Sequence, residues 1–393
     1  MNYDQYLNKR IASVPPSGIR RFFDLASSRK NAISLGVGEP DFKTPYLIRN
    51  AAINSLVDGE TQYTANRGLP ELRQEIALYL SGRYKLSYDW MTQILVTIGA
   101  SEAIDIALRA LLSEGDEVLV PDPSYVSYSP GVIFAGGTPV PVITYQKDDF
   151  RLTAESLEAA ITSRSKLLIL PYPNNPTGAI MEKADLERIA RIVEKHDLLV
   201  ISDEIYSELI YDGHTHVSFA SLDGMYQRTI TINGFSKAFA MTGWRVGYAC
   251  AAEEIIAVMN KIHQYAIMCA PRQGQVAALS ALRLGRENDY ESIAVMRDSY
   301  DRRRRLMVSA FRQMGLECFE PYGAFYVFPS IRRTGLTSEE FCSRLLQEKD
   351  VAAVPGTAFG LSGEGHIRCC YATAIDKINI ALDRMSDFVS KHL

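Results

Sequence analysis

One stretch of this chain places a reactive amine beside groups suited to a phosphate. It reads Ile232-Asn-Gly-Phe-Ser-Lys-Ala-Phe-Ala-Met-Thr-Gly-Trp-Arg-Val-Gly-Tyr248. Ser236 precedes Lys237 directly, and Arg245 follows among glycines. A primary amine can form a Schiff base with an aldehyde, while a fixed guanidinium and small donors can hold a phosphate. A Ser-Lys pair alone is usually a polar surface step. Here Phe235, Phe239, Met241 and Trp244 flank it, so Lys237 is expected away from open solvent. A buried lysine without a partner is costly, which makes it a functional candidate. The cofactor that joins an aldehyde to a phosphate, and so matches these groups, is pyridoxal 5′-phosphate (PLP).

Four further segments ask for the same cofactor: Gly99-Ala-Ser101, Asn174-Asn-Pro-Thr-Gly178, Ser202-Asp-Glu-Ile-Tyr206 and Gly365-His-Ile-Arg368. Read in this order and spacing with the lysine segment, the chain resembles the class I aminotransferases of PLP fold type I. The resemblance runs from Ser34-Leu-Gly-Val-Gly-Glu-Pro-Asp-Phe42 to the last helix. The chain resembles the bacterial subgroup that includes aspartate, aromatic and N-acetyl-diaminopimelate aminotransferases, for which Lys237-Ala-Phe-Ala-Met-Thr-Gly-Trp-Arg245 is highly specific.

The resemblance implies a division of labour. Lys237 would carry the cofactor and later move a proton, which requires a neutral amine near pH 7; burial and a nearby cation such as Arg245 both lower its pKa. Asp203 would pair with the pyridine nitrogen and keep it protonated, although a lone Asp at a strand end is more often a turn or helix cap. Tyr206 and Asn175 would face the cofactor's phenolic oxygen; Asn174-Asn-Pro-Thr-Gly178 also has the make-up of a plain turn. Gly99, Ala100 and Ser101 open a helix directly after a strand, an anion site that Ser236 and Arg245 would complete as a phosphate cup. Tyr125 would stack on the cofactor ring. Arg368 would clamp the substrate carboxylate with a bidentate fork, the backbone at Gly38 would approach the substrate, and a neighbouring subunit would lend Tyr63 to the phosphate. A homodimer with a shared active site follows.

These residues need a frame. Short apolar runs at Ile94–Ile98, Glu117–Pro121, Leu167–Pro171, Leu198–Ser202, Thr229–Asn233 and Val246–Cys250 alternate with helical patterns, notably Glu102–Leu112 and Ala184–Lys195. Such alternation predicts an α/β fold with a largely parallel sheet between helices. Ligands of such sheets gather at the carboxyl ends of the strands, where Gly99, Asn175, Asp203 and Lys237 all fall. From about Arg286 the pattern changes to a long helical stretch reaching Met314, then short strands near Ala324–Phe328, Val351–Pro355 and Ile367–Tyr371 and two further helices. The expectation is a large PLP-binding domain over 48–285 and a smaller α+β domain. By resemblance, the latter is built from both chain ends, 1–47 and 286–393.

Composition narrows the partners. The chain has 393 residues and a formal net charge of -4, ordinary for a globular protein, with nothing that asks for nucleic acid. The basic run Asp301-Arg-Arg-Arg-Arg305 reads as a solvated helix face. Six cysteines without a Cys-x-x-Cys pair fit reduced thiols in a cytoplasmic protein. No secretory signal or membrane-spanning run is read. His214-Thr-His216 lies in a polar turn, so no metal site is expected.

A carbon–sulfur β-lyase of the same fold would share the lysine, aspartate and phosphate groups; Met241-Thr-Gly-Trp-Arg245 and Gly38-Glu-Pro-Asp-Phe42 favour the aminotransferase. The fold also serves as the sensing half of some transcription regulators; because the resemblance starts within the first few tens of residues, their preceding DNA-binding domain is not expected here. Dicarboxylate-specific relatives hold the distal carboxylate with an arginine where this chain aligns Gln264, or with a lysine where it has Ser101. Arg20 or Arg67 could compensate. The sequence therefore predicts a broad enzyme, with aromatic or N-acetyl-diaminopimelate-type donors favoured over strict aspartate and 2-oxoglutarate as acceptor.

Overall fold

A computed structural model describes residues 1, 3–19, 29 and 31–393. Among the described residues a short helix, Lys9–Ala12, precedes the first strand, β1 (Ile33–Ser34). Its centre is a seven-stranded sheet of β2 (Ile94–Thr97), β3 (Glu117–Asp122), β4 (Thr138–Ile143), β5 (Ser165–Leu170), β6 (Leu199–Asp203), β7 (Thr229–Gly234) and β8 (Gly247–Cys250). The spatial order is β2-β8-β7-β6-β5-β3-β4, and β8 runs antiparallel to both of its neighbours while the other pairs are parallel.

The central strands are apolar on both faces, and alternation sends successive side chains into different cores. Leu119, Leu168, Leu170 and Val200 join one core with Leu186, Ile189 and Val193 of helix Lys183–Lys195. Val118, Val120, Leu167, Ile169, Ile201, Ile230 and Ile232 join the other, with Ile104 and Leu108 of helix Gly99–Leu111 and Ile256 and Met259 of helix Glu253–Ala266. Each such side chain stabilises the fold by roughly 1.5–3 kcal/mol when fully buried.

The C-terminal part adds β9 (Tyr326–Val327), β10 (Val351–Ala352), β11 (Val354–Pro355) and β12 (Ile367–Cys370). β11, β12 and β9 form an antiparallel sheet in that order. Against it pack helices Glu291–Gln313, Ser338–Lys349 and Ile375–Val389, through a core that includes Phe311, Phe341, Leu345, Cys369 and Phe388. β1 pairs in parallel with β10, Ile33 opposite Val351. The next residue, Leu35, accepts a 2.7 Å bond from Cys370 N. The start of the chain is thus fastened to its last third, and Gly38 follows directly.

Two readings of the sequence need correction. β4 was not foreseen, because Pro139 and Pro141 argue against a strand. It lies at the sheet edge and pairs with β3 alone, so the missing N–H groups are tolerated. The long helical stretch expected from about Arg286 to Met314 is helix Glu291–Gln313, and a separate helix, Arg272–Glu287, ends just before it. Asp289 and Tyr290 adopt positive φ of 51° and 57° between them, which lays the Tyr290 ring against Gly285. The basic run is not simply a solvated face. Arg304 is fully buried and bonded to Asp212 (2.5 Å), Asp301 (2.7 Å) and Glu320, and Arg303 is bonded to Asp41 at 2.9 Å. Three acids around one buried guanidinium satisfy the burial rule for charges.

Candidate active site

The carboxyl ends of β5, β6 and β7 open into a cleft of about 730 Å³. Chain turns deliver the polar groups to it. Asp203 is the last residue of β6 and Lys237 follows three residues after β7 ends. Gly234 and Gly247 are paired across β7 and β8, so the segment carrying Lys237 and Arg245 leaves the sheet and returns to it at facing positions.

Lys237 Nζ donates to the carbonyl of Gly38 at 2.8 Å and lies 5.8 Å from the Tyr206 ring centre and 5.5 Å from that of Phe325. Its amine is pushed down to about 8, chiefly by burial; Cys370 and Glu39 oppose the shift and Arg368 and Arg245 add to it. Asp203 is buried; Oδ2 accepts from Tyr128 Oη at 2.7 Å and Oδ1 from Ile205 N at 3.2 Å. Burial pushes this carboxyl up, against the effect of those two bonds. A carboxylate held this way gains from a further N–H donor or cation brought into the cleft.

Arg245 has a positive φ of 54°, and its Nη1 donates to Thr242 O at 3.0 Å. Its Nη2 stands 2.5 Å from where a Cβ on Gly99 would be, so the guanidinium rests on the first residue of helix Gly99–Leu111. Helix N–H groups, the Arg245 cation and the Ser236 hydroxyl converge there; Ala100, Ser101, Ser236 and Arg245 all line the cleft.

Arg368, from β12, is 2 % exposed. Its Nη1 donates to Asn175 Oδ1 at 2.9 Å and its Nη2 to Gly36 O. Its Nε is buried without a partner. Asn174 and Asn175 divide their work. Asn174 Oδ1 accepts from the Thr177 hydroxyl at 3.0 Å and shapes the turn, while Asn175 faces the cleft.

Gly38, Ala100, Ser101, Tyr125, Asn175, Asp203, Tyr206, Ser236, Lys237, Arg245 and Arg368 therefore line one cleft, with Gly99 beneath Arg245. Tyr63 does not; it is 77 % exposed. Neither does Gln264, and Arg67 is occupied with the carbonyls of Met91 and Thr92, each at 2.9 Å. Arg20 lies outside the described residues. His214 and His216 pair with Glu182 (2.7 Å) and Glu204 (2.9 Å).

Sequence reasoning missed Tyr128 and Tyr326. Tyr128 holds Asp203, and Tyr326 Oη lies 2.8 Å from Tyr206 Oη. Tyr326 sits in an apolar strand and reads as core. Tyr128 has only its spacing from Tyr125 to suggest it.

The residues fit PLP. An amine of lowered pKa, an anion cup at a helix start, a buried carboxylate with unused acceptor capacity and a guanidinium with an orphan N–H share one cavity. Fold and site together define a PLP-dependent enzyme of fold type I. The chain belongs to the class I and II aminotransferases, which it matches over residues 30–385. It is 50% identical to a putative aminotransferase of Bacillus subtilis over 98% of this chain and 99% of the relative. It is 49% identical to an aspartate aminotransferase of Pyrococcus abyssi over 96% and 97% of the two chains. The crystal structure of an aromatic aminotransferase from Pyrococcus horikoshii superposes with a TM-score of 0.90 at 48% identity, covering 94% of this chain and 99% of that one. The protein is therefore an aminotransferase acting on amino acids and 2-oxo acids. Among the described residues no helix is long and apolar enough to cross a membrane.

Proposed function

We propose that this enzyme transfers an amino group from a broad range of L-amino acids, aromatic or N-acetyl-diaminopimelate-type donors included, to 2-oxoglutarate. Covalent attachment of the cofactor aldehyde is assigned to Lys237. When bound, PLP supplies an electron sink for the bond broken at the substrate α-carbon. The chain's own residues do the rest. Lys237, with its lowered pKa, takes and returns the proton at that carbon. Asp203, held by Tyr128, keeps the ring nitrogen protonated. Tyr206 and Asn175 would donate toward the cofactor's phenolic oxygen, and Tyr125 would flank its ring. Gly99, Ala100, Ser101, Ser236 and Arg245 hold the phosphate. Arg368 would bind the α-carboxylate, and the backbone at Gly38 would approach the substrate.

The observation that carries the reading is the set of cations in the cleft. Among the described residues only Lys237, Arg245 and Arg368 line it as cations, and each already has a task. Among the described residues no further cation lines the cleft for a distal carboxylate; Arg20 falls outside them. Replacing such a clamp by neutral donors lowers affinity for a dicarboxylate by roughly 1–3 kcal/mol.

The reading extends to assembly. Residues 48–285 are assigned to a large PLP-binding domain, and 1–47 with 286–393 to a small one; the β1–β10 pairing supports the join. Helix Tyr46–Val57 exposes Tyr46, Leu47, Ile53, Leu56 and Val57, which suits a second copy of the chain, and exposed Tyr63 suits a role in the partner's phosphate cup. The six free cysteines fit a reducing, cytoplasmic setting.

The test is a panel of amino acids added singly while the cofactor's visible absorbance is followed, together with borohydride reduction and peptide mapping. The expected label is on Lys237, and kcat/KM for phenylalanine or N-acetyl-diaminopimelate should equal or exceed that for aspartate. A roughly hundredfold preference for aspartate would overturn the donor assignment.

A further inference from the structure

Tyr326 belongs to none of the sequence motifs, yet it touches three parts of the cleft. It lies on β9 opposite Cys370 of β12, the strand that carries Arg368, and is 1 % exposed. Its hydroxyl is 2.8 Å from the Tyr206 hydroxyl. Its ring lies under the Arg368 guanidinium, 4.5 Å from centroid to Cζ, and Phe359 flanks the same Cζ at 4.7 Å. The hydroxyl also fills the space beside Gly38, where a Cβ would come within 2.3 Å of it. Gly38 is the residue whose carbonyl receives Lys237 Nζ.

We propose that Tyr326 is a positioning residue that joins the carboxylate-binding end of the cleft to the cofactor end. Its hydroxyl sets the direction of the Tyr206 proton, and its ring sets the plane of Arg368. The inference rests on the reading of the cleft given above.

Each half has a physical basis. Tyr206 has one proton to donate. If that proton went to Tyr326, none would be left for a ligand. The Arg368 cation lies closer to the Tyr326 ring (4.5 Å) than Lys237 does to the Tyr206 ring (5.8 Å), so it draws more charge from the Tyr326 oxygen and makes Tyr326 the better donor of the pair. Tyr326 then donates to Tyr206, whose proton turns into the cleft as a stronger donor, because hydrogen bonds in a chain polarise one another. The ring does the second task. Asn175 and Gly36 accept from Nη1 and Nη2, while Tyr326 and Phe359 fix the faces of the guanidinium. The buried, unpartnered Nε is left as a donor for an anion.

Two substitutions separate the tasks. Tyr326→Phe keeps the ring and removes the hydroxyl; Tyr326→Leu removes both. The holoenzyme is measured in two ways that need no turnover: the pH midpoint of its visible absorbance, and calorimetric binding of 3-phenylpropionate, an unreactive aromatic monocarboxylate. With Tyr326→Phe, the phenolic oxygen loses part of its donor and keeps more negative charge, so neighbouring protons are held more tightly. The midpoint should rise by about 0.3 pH unit or more, with the 3-phenylpropionate Kd staying within about twofold. Tyr326→Leu should in addition weaken 3-phenylpropionate by about fivefold or more. A smaller shift in the Phe variant, or weaker dependence in the Leu variant, overturns the proposal. Arg368→Gln is the control for the underlying reading. If it binds 3-phenylpropionate like the wild type, the carboxylate site itself is misassigned. If it loses binding and Tyr326→Leu does not, only the role of Tyr326 falls.

Discussion

Burial changes what Lys237 can do before any ligand arrives. Desolvation pushes its amine down to about 8, from an ordinary lysine value of 10.5. Below pH 8 both folded and unfolded chains hold the proton, and the folded state carries the cost of a partly desolvated charge in the cleft. Between about 8 and 10.5 the unfolded chain binds the proton that the folded chain has released, so this group makes stability rise with pH across that window. In cofactor-free protein, Lys237→Met should therefore be more stable than wild type by about 1–3 kcal/mol at pH 7, with the gap closing toward pH 10.5. Denaturant unfolding of both proteins at the two pH values measures this; a gap that does not change with pH would show that the amine is not desolvated. Residues of this kind were legible in the sequence because their chemistry is rare and their neighbours are local. Lys237 announces itself through Ser236, the flanking aromatics and Arg245. Tyr128 and Tyr326 were not legible. Each matters through one contact, to Asp203 or to Tyr206, and those partners lie far away in sequence.

At the scale of elements, the phosphate cup depends on how closely β8 approaches the start of helix Gly99–Leu111. A Cβ on Gly247 would stand 2.5 Å from Ala100 N and 2.5 Å from Gly99 C, both backbone atoms that cannot swing aside. Gly247→Ala is expected to lower stability by about 1–3 kcal/mol through overpacking. It should also weaken PLP binding by roughly tenfold or more, since the displaced atoms belong to the donors of the cup. Gly82→Ala is the contrast: it lies in helix Pro70–Tyr84 with nothing within 4 Å of a Cβ, so it should stabilise by about 0.5–1 kcal/mol. Thermal melting and a fluorescence titration with PLP test the pair; equal PLP affinity in both variants would show that the cup does not depend on this approach. Most strands could be read from the sequence because buried parallel strands are continuous apolar runs. β4 could not, since its two prolines are harmless only at an edge, and edge position is a property of the sheet. The helix break at Asp289 and Tyr290 was hidden for a similar reason: neither residue is a glycine or proline, and the turn is favoured by Tyr290 packing on Gly285.

At the scale of the molecule, the sequence pattern alone could not join the two chain ends; resemblance supplied that, and the pairing of Ile33 with Val351 gives it a physical form. Tyr63 poses the corresponding question between chains, being far too exposed to serve its own cleft. If a second copy receives it, Lys237→Ala and Tyr63→Ala each damage a different face of the same site. Refolding the two inactive variants together should create mixed dimers with one site built only from native residues. Activity should return to roughly a quarter of wild type at equal mixing, since about half the dimers are mixed and each has one intact site. No recovery on mixing, with dimers present by sedimentation, would place Tyr63 outside the partner's cup.

The facing glycines at the base of the segment that bears Lys237 and Arg245 have a practical consequence. With Gly234 and Gly247 locked opposite each other, and Phe235 N bonded to Val246 O at 3.2 Å, that segment is a closed ring of fixed circumference. Adding or removing a residue within it would alter the span from amine to guanidinium with nowhere to absorb the change. The remaining walls of the cleft, Val37, Ile104 and Ser127 among them, come from other elements and carry no such constraint. The anchor thus works like a calibrated socket, and tailoring the enzyme to a new donor is a task for the opposite walls.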